Sequence, residues 1–209
     1  MKKFELTTNT KMFLGKKLFQ IKALISFGDV EAGELGGYIE KEENLSQAGD
    51  AWVAGNARVT DDARVTGNAR VTGNARVTDD ARVTGNARVA GDAWVAGNAR
   101  VAGDAWVAGN ARVAGDARVA GNARVAGNAC VSGNACYTTI KGFGREYRTT
   151  TFFKCKDGKV RVRCGCFYGD LKKFRAIVKE THGESKKAKE YLMIADLMEL
   201  HFEEKENDK

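Results

Sequence analysis

The chain has 209 residues, with 34 basic and 27 acidic side chains and a formal charge of +7, so one or two domains fit. Five cysteines, an odd number, and no apolar run near the ~20 residues of a membrane span speak against a disulfide framework and a spanning helix. Lys2 and Lys3 lead into a polar stretch rather than an apolar signal segment, and a cytoplasmic protein with reduced thiols is expected.

Residues 1–47 are charge-neutral and read as an N-terminal β cap. Phe4-Glu5-Leu6 and Leu18-Phe19-Gln20-Ile21 have the composition of short strands. The glycine-rich stretch from Gly28 to Ile39 could pass for a phosphate loop. It lacks the Gly-Lys-Ser/Thr ending and a following helix, so a structural turn is the better reading. Ile39 and Leu45 stand six residues apart, which places a degenerate first turn of the following repeat near Tyr38.

From Ala48 to Tyr137 one hexad, V-[AT]-G-[ND]-A-[RW], repeats without interruption, with valine on every sixth residue from Val53 to Val131. Such a strict period predicts a solenoid in which each repeat packs on its neighbours. Within each hexad Ala and Val alternate with Arg or Trp and with Thr or Ala, the period of a strand buried on one face. Gly-Asn, Gly-Asp or Asp-Asp then turns the corner. The absence of proline suits a continuous backbone ladder.

This segment resembles the hexapeptide-repeat family. The resemblance implies a left-handed parallel β-helix with three hexads per triangular coil, so 48–137 makes about five coils, roughly 24 Å at the ~4.8 Å inter-strand spacing. Residues 18 apart then stack. The outward columns are Arg64, Arg82, Arg100, Arg118, Cys136; Trp52, Arg70, Arg88, Trp106, Arg124; and Arg58, Arg76, Trp94, Arg112, Cys130. Each Trp is expected to stack on an Arg of its column. Asp61, Asp62, Asp79, Asp80 and Asp116 line the corner of the all-Arg column. The outward faces read as solvated and salt-laced, or else as a binding face for another chain or an anionic polymer. Acyltransferases of this family use a catalytic His; these repeats contain none, and the only histidines are His182 and His201. No enzymatic activity, catalytic residue, cofactor or metal is expected.

Residues 138–209 read as a small α+β domain, and the fold class overall is mainly β. Thr149–Lys156 and Lys159–Phe167 flank Asp157-Gly158, a favoured two-residue hairpin turn. Asp170 caps a helix from Leu171 to about Thr181, stopped by His182-Gly183, and a second helix runs from about Ser185 to Glu203. Residues 27–46 (FGDVEAGELGGYIEKEENLS) and 149–169 (TTTFFKCKDGKVRVRCGCFYG) are similar to the two ends of a group of phage and prophage hexapeptide-repeat proteins, often labelled polymer-forming. That resemblance implies a phage-type accessory protein acting in the bacterial host cytoplasm, with no assigned reaction; the wider hexapeptide-repeat resemblance implies a trimer. Cys164-Gly165-Cys166 supplies too few ligands for zinc by itself; idle thiols are the simpler reading and a metal site the alternative.

The tail carries the charge. Residues 141–175 hold eleven basic and three acidic groups. A two-residue turn pairs Lys156 with Lys159, Lys154 with Arg161 and Phe152 with Arg163 on one exposed face. Phe153, Cys155, Val160, Val162 and Cys164 then face the helices. The cations splay into water, or they hold an anion together with Arg145, Tyr147 and Arg148 upstream. The leading expectation is therefore a homo-oligomeric binding module whose basic head takes a nucleic acid, a nucleotide or an acidic protein. A purely structural self-assembling protein and an atypical acyltransferase are the alternatives.

Overall fold

The computed structural model describes residues 1–133, 136–143, 148–155 and 157–203. Its centre is a parallel β-solenoid. Fourteen two-residue strands, β4 (Trp52–Val53) to β17 (Cys130–Val131), pair in register with the strands 18 residues away on three faces. Ala and Val of every hexad point inward, Val53 through Val131 fully buried, because a narrow prism leaves room only for small and β-branched side chains. At most corners glycine takes a positive φ. A methyl on Gly85 would lie 2.9 Å from the amide nitrogen of Gly103 one coil on, so stacking and backbone both demand glycine there. Asp61 and Asp79 occupy the same left-handed conformation in two hexads. Each repays the strain by accepting an amide N–H from the next coil, Asp79 Oδ2 from Gly97 N at 2.8 Å and Asp61 Oδ2 from Asp79 N at 3.4 Å.

The coil starts before the strict repeat. Tyr38 and Ile39 pair with Arg58 and Val59, and Leu45 with Val65, so the degenerate turn expected near Tyr38 is present. These offsets are 20 residues rather than 18, because 8 residues instead of 6 separate Leu45 from Val53. Before it, β1 (Phe4–Phe13) and β2 (Lys16–Ala23) form a hairpin longer than the short strands expected, and β2 pairs with β3 (Leu35–Ile39) at the sheet edge. Gly36 lies against β2 and β4: a Cβ there would meet Ile21 Cγ1 at 2.5 Å and the Val53 carbonyl at 2.6 Å. The glycine-rich stretch is thus a close-packing device. Trp52, expected on the outside, is fully buried, because the cap folds over it and Phe27 meets it edge-on at 5.5 Å.

Lys3 is drawn under the same cap at 2 % exposure, its ammonium donating to the carbonyls of Gly49 (3.1 Å) and Ala51 (2.9 Å). Burial lowers its pKa from 10.5 to about 8, against the pull of Asp50. Between those values the unfolded chain binds more protons than the folded one, so stability rises with pH across that window. The stability of the wild type relative to Lys3→Met, followed by urea unfolding, should increase from about pH 8 towards 10.5. A flat difference would show that Lys3 titrates normally.

At the other end a four-stranded antiparallel sheet covers the last coil: β18 (Tyr137–Ile140), β19 (Thr150–Lys154), β20 (Val160–Cys164) and β21 (Phe167–Asp170). α1 (Leu171–His182) begins at Asp170, whose carboxylate accepts from Lys173 N at 2.8 Å, and α2 (Lys186–Phe202) begins at Ser185. Two features differ from expectation. The segment expected as one strand, Lys159–Phe167, turns at Gly165-Cys166 into two. The loop between β19 and β20 has three residues rather than two: Cys155 N donates to the Lys159 carbonyl at 3.0 Å, and Gly158 closes it at φ 74.

That extra residue shifts the register by one. Lys154 faces Val160, Phe152 faces Val162, Phe153 faces Arg161, and Thr151 faces Arg163. A one-residue slip moves side chains to the opposite face. Phe152 and Val162 now pack with Phe174, Tyr191 and Met198 of the helices, whereas Phe153 joins the solenoid core. Covered by the solenoid on one side and the helices on the other, the sheet buries both phenylalanines, and the shifted register places Val162 rather than Arg163 beside Phe152. Among the described residues, no helix is long and apolar enough to cross a membrane.

Candidate anion-binding clefts

The corrected register disperses the expected cation cluster. Arg161 and Arg163 point toward the solenoid, while Lys154 lies opposite Val160 on the helix side and Lys159 is exposed at the hairpin end. Arg145, Tyr147 and Lys156 lie outside the described residues. Of the eight positions, Arg148 and Arg163 are brought together, and Arg161 enters a different cleft.

The first cleft, about 670 Å³, opens where the head meets the solenoid. Arg124 enters from β16 (Arg124–Val125), Lys141 from the end of β18, Arg148 and Thr149 from the approach to β19, and Arg163 from β20. Its position follows from the junction: Arg124 N donates to Thr151 Oγ1 at 3.1 Å, pinning the first strand of the head hairpin to the last coil. Arg148 can reach over the β20–β21 turn because Gly165 has no side chain; a Cβ would lie 2.9 Å from its Nη1. Among the described residues the lining holds four cations and one carboxylate, Asp104, a local balance of +3. Unneutralised like charges at this spacing repel, and an anion would relieve them. Arg124 and Lys141 were not among the expected site residues.

The second cleft, about 640 Å³, lies on another face and contains Arg161 with Arg76, Arg112, Trp94 and Tyr168. It is better compensated. Arg161 Nη2 bonds Asp157 Oδ2 at 2.7 Å, Asp92 adds a second carboxylate, and Arg112 stacks on Trp94 at 4.5 Å. Arg124 likewise stacks on Trp106 at 5.4 Å, so two of the three expected Trp–Arg contacts form and buried Trp52 is the exception. Asp61 and Asp62 pair with Lys16 and Lys41 of the N-terminal segment.

Cys155 is buried beside Ala129, where burial pushes its thiol pKa up, and Cys164 accepts from Thr150 Oγ1 at 3.2 Å. Among the described residues, no group of three His, Cys, Asp or Glu side chains converges as a metal site would need. His182 closes α1 and stacks on Tyr191 at 6.0 Å.

By fold the chain is a parallel β-solenoid capped by a three-stranded N-terminal segment and an α+β head. No family model and no curated protein matches it.

Proposed function

We propose that this is a non-enzymatic binding protein that holds an anionic partner, a nucleic acid or nucleotide, where its head meets the solenoid. The observation that carries the reading is the convergence of Arg124, Lys141, Arg148 and Arg163 around one cleft with Asp104 as the only acid among the described residues. The solenoid is the rigid support, since each coil is tied to the next through backbone hydrogen bonds near 2.9 Å, such as Arg88 N to the Ala105 carbonyl. The reading extends to the finer identity that the sequence resemblance implies: a left-handed hexapeptide-repeat helix in a phage-type accessory protein of the bacterial cytoplasm. An acidic protein would satisfy the same charge but has no need of the flanking Trp106.

Freshly purified protein is expected to carry bound nucleic acid or nucleotide, seen as a raised 260/280 nm absorbance ratio that falls after a high-salt wash. Stripped protein should rebind at low salt, and affinity should drop steeply as salt rises. Absence of binding to DNA, RNA and nucleotides at low salt would dispose of the reading.

A second reading, self-assembly, is favoured by a different observation. The face of α2 opposite its buried side exposes Met193, Leu197 and Leu200, spaced i, i+4, i+7. Its charges are already paired, Lys186 with Glu190 and both Asp196 and Glu199 with Arg175 of α1, so the apolar side chains carry this reading. Light scattering should then give a mass above the monomer that falls on dilution. A monomer at every concentration removes both this pair and the trimer the resemblance implies.

A further inference from the structure

The basic cleft does not end at the head. A neighbouring cleft of about 760 Å³ runs along the same face of the solenoid, lined by Arg70, Arg88 and Trp106, and Asp104 lines both. The face is one column of the repeat, in which Arg70 pairs with Arg88, Arg88 with Trp106 and Trp106 with Arg124. Its side chains are therefore set about 4.8 Å apart by the strand ladder. Among the described residues the two clefts present six cations (Arg70, Arg88, Arg124, Lys141, Arg148, Arg163) against two carboxylates, Asp29 and Asp104, a balance of +4. Asp29 is engaged by Arg70, and Asp104 accepts from Asn86 Nδ2 at 2.9 Å.

Among the described residues the other two faces are better compensated, the second cleft by its Arg161–Asp157 pair and the Arg112–Trp94 stack. On one, the Phe13 ring lies over Arg58 (4.7 Å) and Arg76 (5.9 Å). On the other, the arginine column runs beside the aspartate corners at 61–62 and 79–80. On the open face, Trp106 is 40 % exposed in the middle of the cationic run, while Trp52 of the same column is buried. Regularly spaced cations with an exposed indole among them are the requirements for holding a flexible phosphodiester strand, with the ring offering a stacking surface for an unpaired base.

We infer that the ligand of the proposed anion site is extended: a single-stranded nucleic acid lying along the Arg70–Arg88–Trp106–Arg124 face and ending in the cleft formed by Arg148 and Arg163. This rests on the anion-binding reading above and adds the solenoid face to it.

The test is a fluorescence titration, following tryptophan quenching, with oligothymidylates from a dinucleotide upward, on the wild type, Arg88→Glu and Trp106→Ala. Wild-type affinity should rise at least about tenfold with length and then plateau as the groove fills. Arg88→Glu should lose about tenfold with long strands and several-fold less with the dinucleotide, because Arg88 lies two strand spacings from Arg124 of the head cleft. Trp106→Ala, followed by anisotropy of labelled strands, should weaken long-strand binding several-fold. If the dinucleotide binds as tightly as the long strands, the extended groove is overturned while the head cleft stands. If no strand of any length binds, both readings fall. If Trp106→Ala is neutral and a sulfated polysaccharide competes equally, the face is a charge-only surface and the nucleic-acid assignment is overturned.

Discussion

Val89→Asp is expected to unfold the solenoid around its central coil, with loss of the β-type circular dichroism signal and of a cooperative melting transition. Val89 is fully buried, stacked between Val71 and Val107 in a column of valines with no polar partner within the prism. An ionised carboxylate there must be protonated or drag water into the coil, a cost of at least several kcal/mol. That is comparable with the whole stability of a domain, typically about 5–15 kcal/mol. Neighbouring coils cannot compensate, since each contacts only the coil on either side and the damage interrupts the stack. Arg88→Glu, one residue earlier but pointing outward, is the control and should change stability by no more than ~0.5 kcal/mol. A Val89→Asp protein with the wild-type melting point would contradict the inward assignment of valine and with it the coil.

The second large effect is on binding. Arg148→Glu combined with Arg163→Glu converts the head cleft from four cations and one acid, +3, to two cations and three acids, −1. Each lost charge-assisted contact is worth about 2 kcal/mol, so polyanion affinity should fall by roughly three orders of magnitude at low salt. The dependence of the residual binding on salt should flatten, because fewer counterions are released. Arg148 is exposed and Arg163 half-buried, and neither belongs to the solenoid core, so the melting temperature should move by only a few degrees. The comparison variant is Lys154→Glu with Arg161→Glu, one residue on each face of the hairpin. It should leave binding at the head cleft within about threefold of wild type. If that pair, rather than Arg148 and Arg163, abolished binding, the head cleft would be misplaced.

The solenoid was legible in the amino-acid sequence because its physics is local and repeated. Fifteen in-phase hexads leave one way to bury every Ala and Val, and the spacing of 18 then sets the outward columns, as the pairing of Arg70, Arg88, Trp106 and Arg124 bears out. Asp170 and Ser185 likewise mark the two helix starts through side-chain caps that need no distant partner. What only the tertiary structure decided depends on contacts between segments far apart in the chain. One residue in the loop between Cys155 and Lys159 chose which hairpin residues meet the helices and which meet the coil. Asp-Gly is compatible with both two- and three-residue loops, so the choice lay in which β20 side chains join Phe152 against the helices: Val160 and Val162 do, while Arg161 and Arg163 line the clefts beside the solenoid. The same docking selected which solenoid face joins the head, bringing Arg124 to Arg148 and Arg163, while the N-terminal cap buried Trp52 and left Trp106 open. A repeat specifies identical coils; only its ends, folding back upon it, make one face different from the other two.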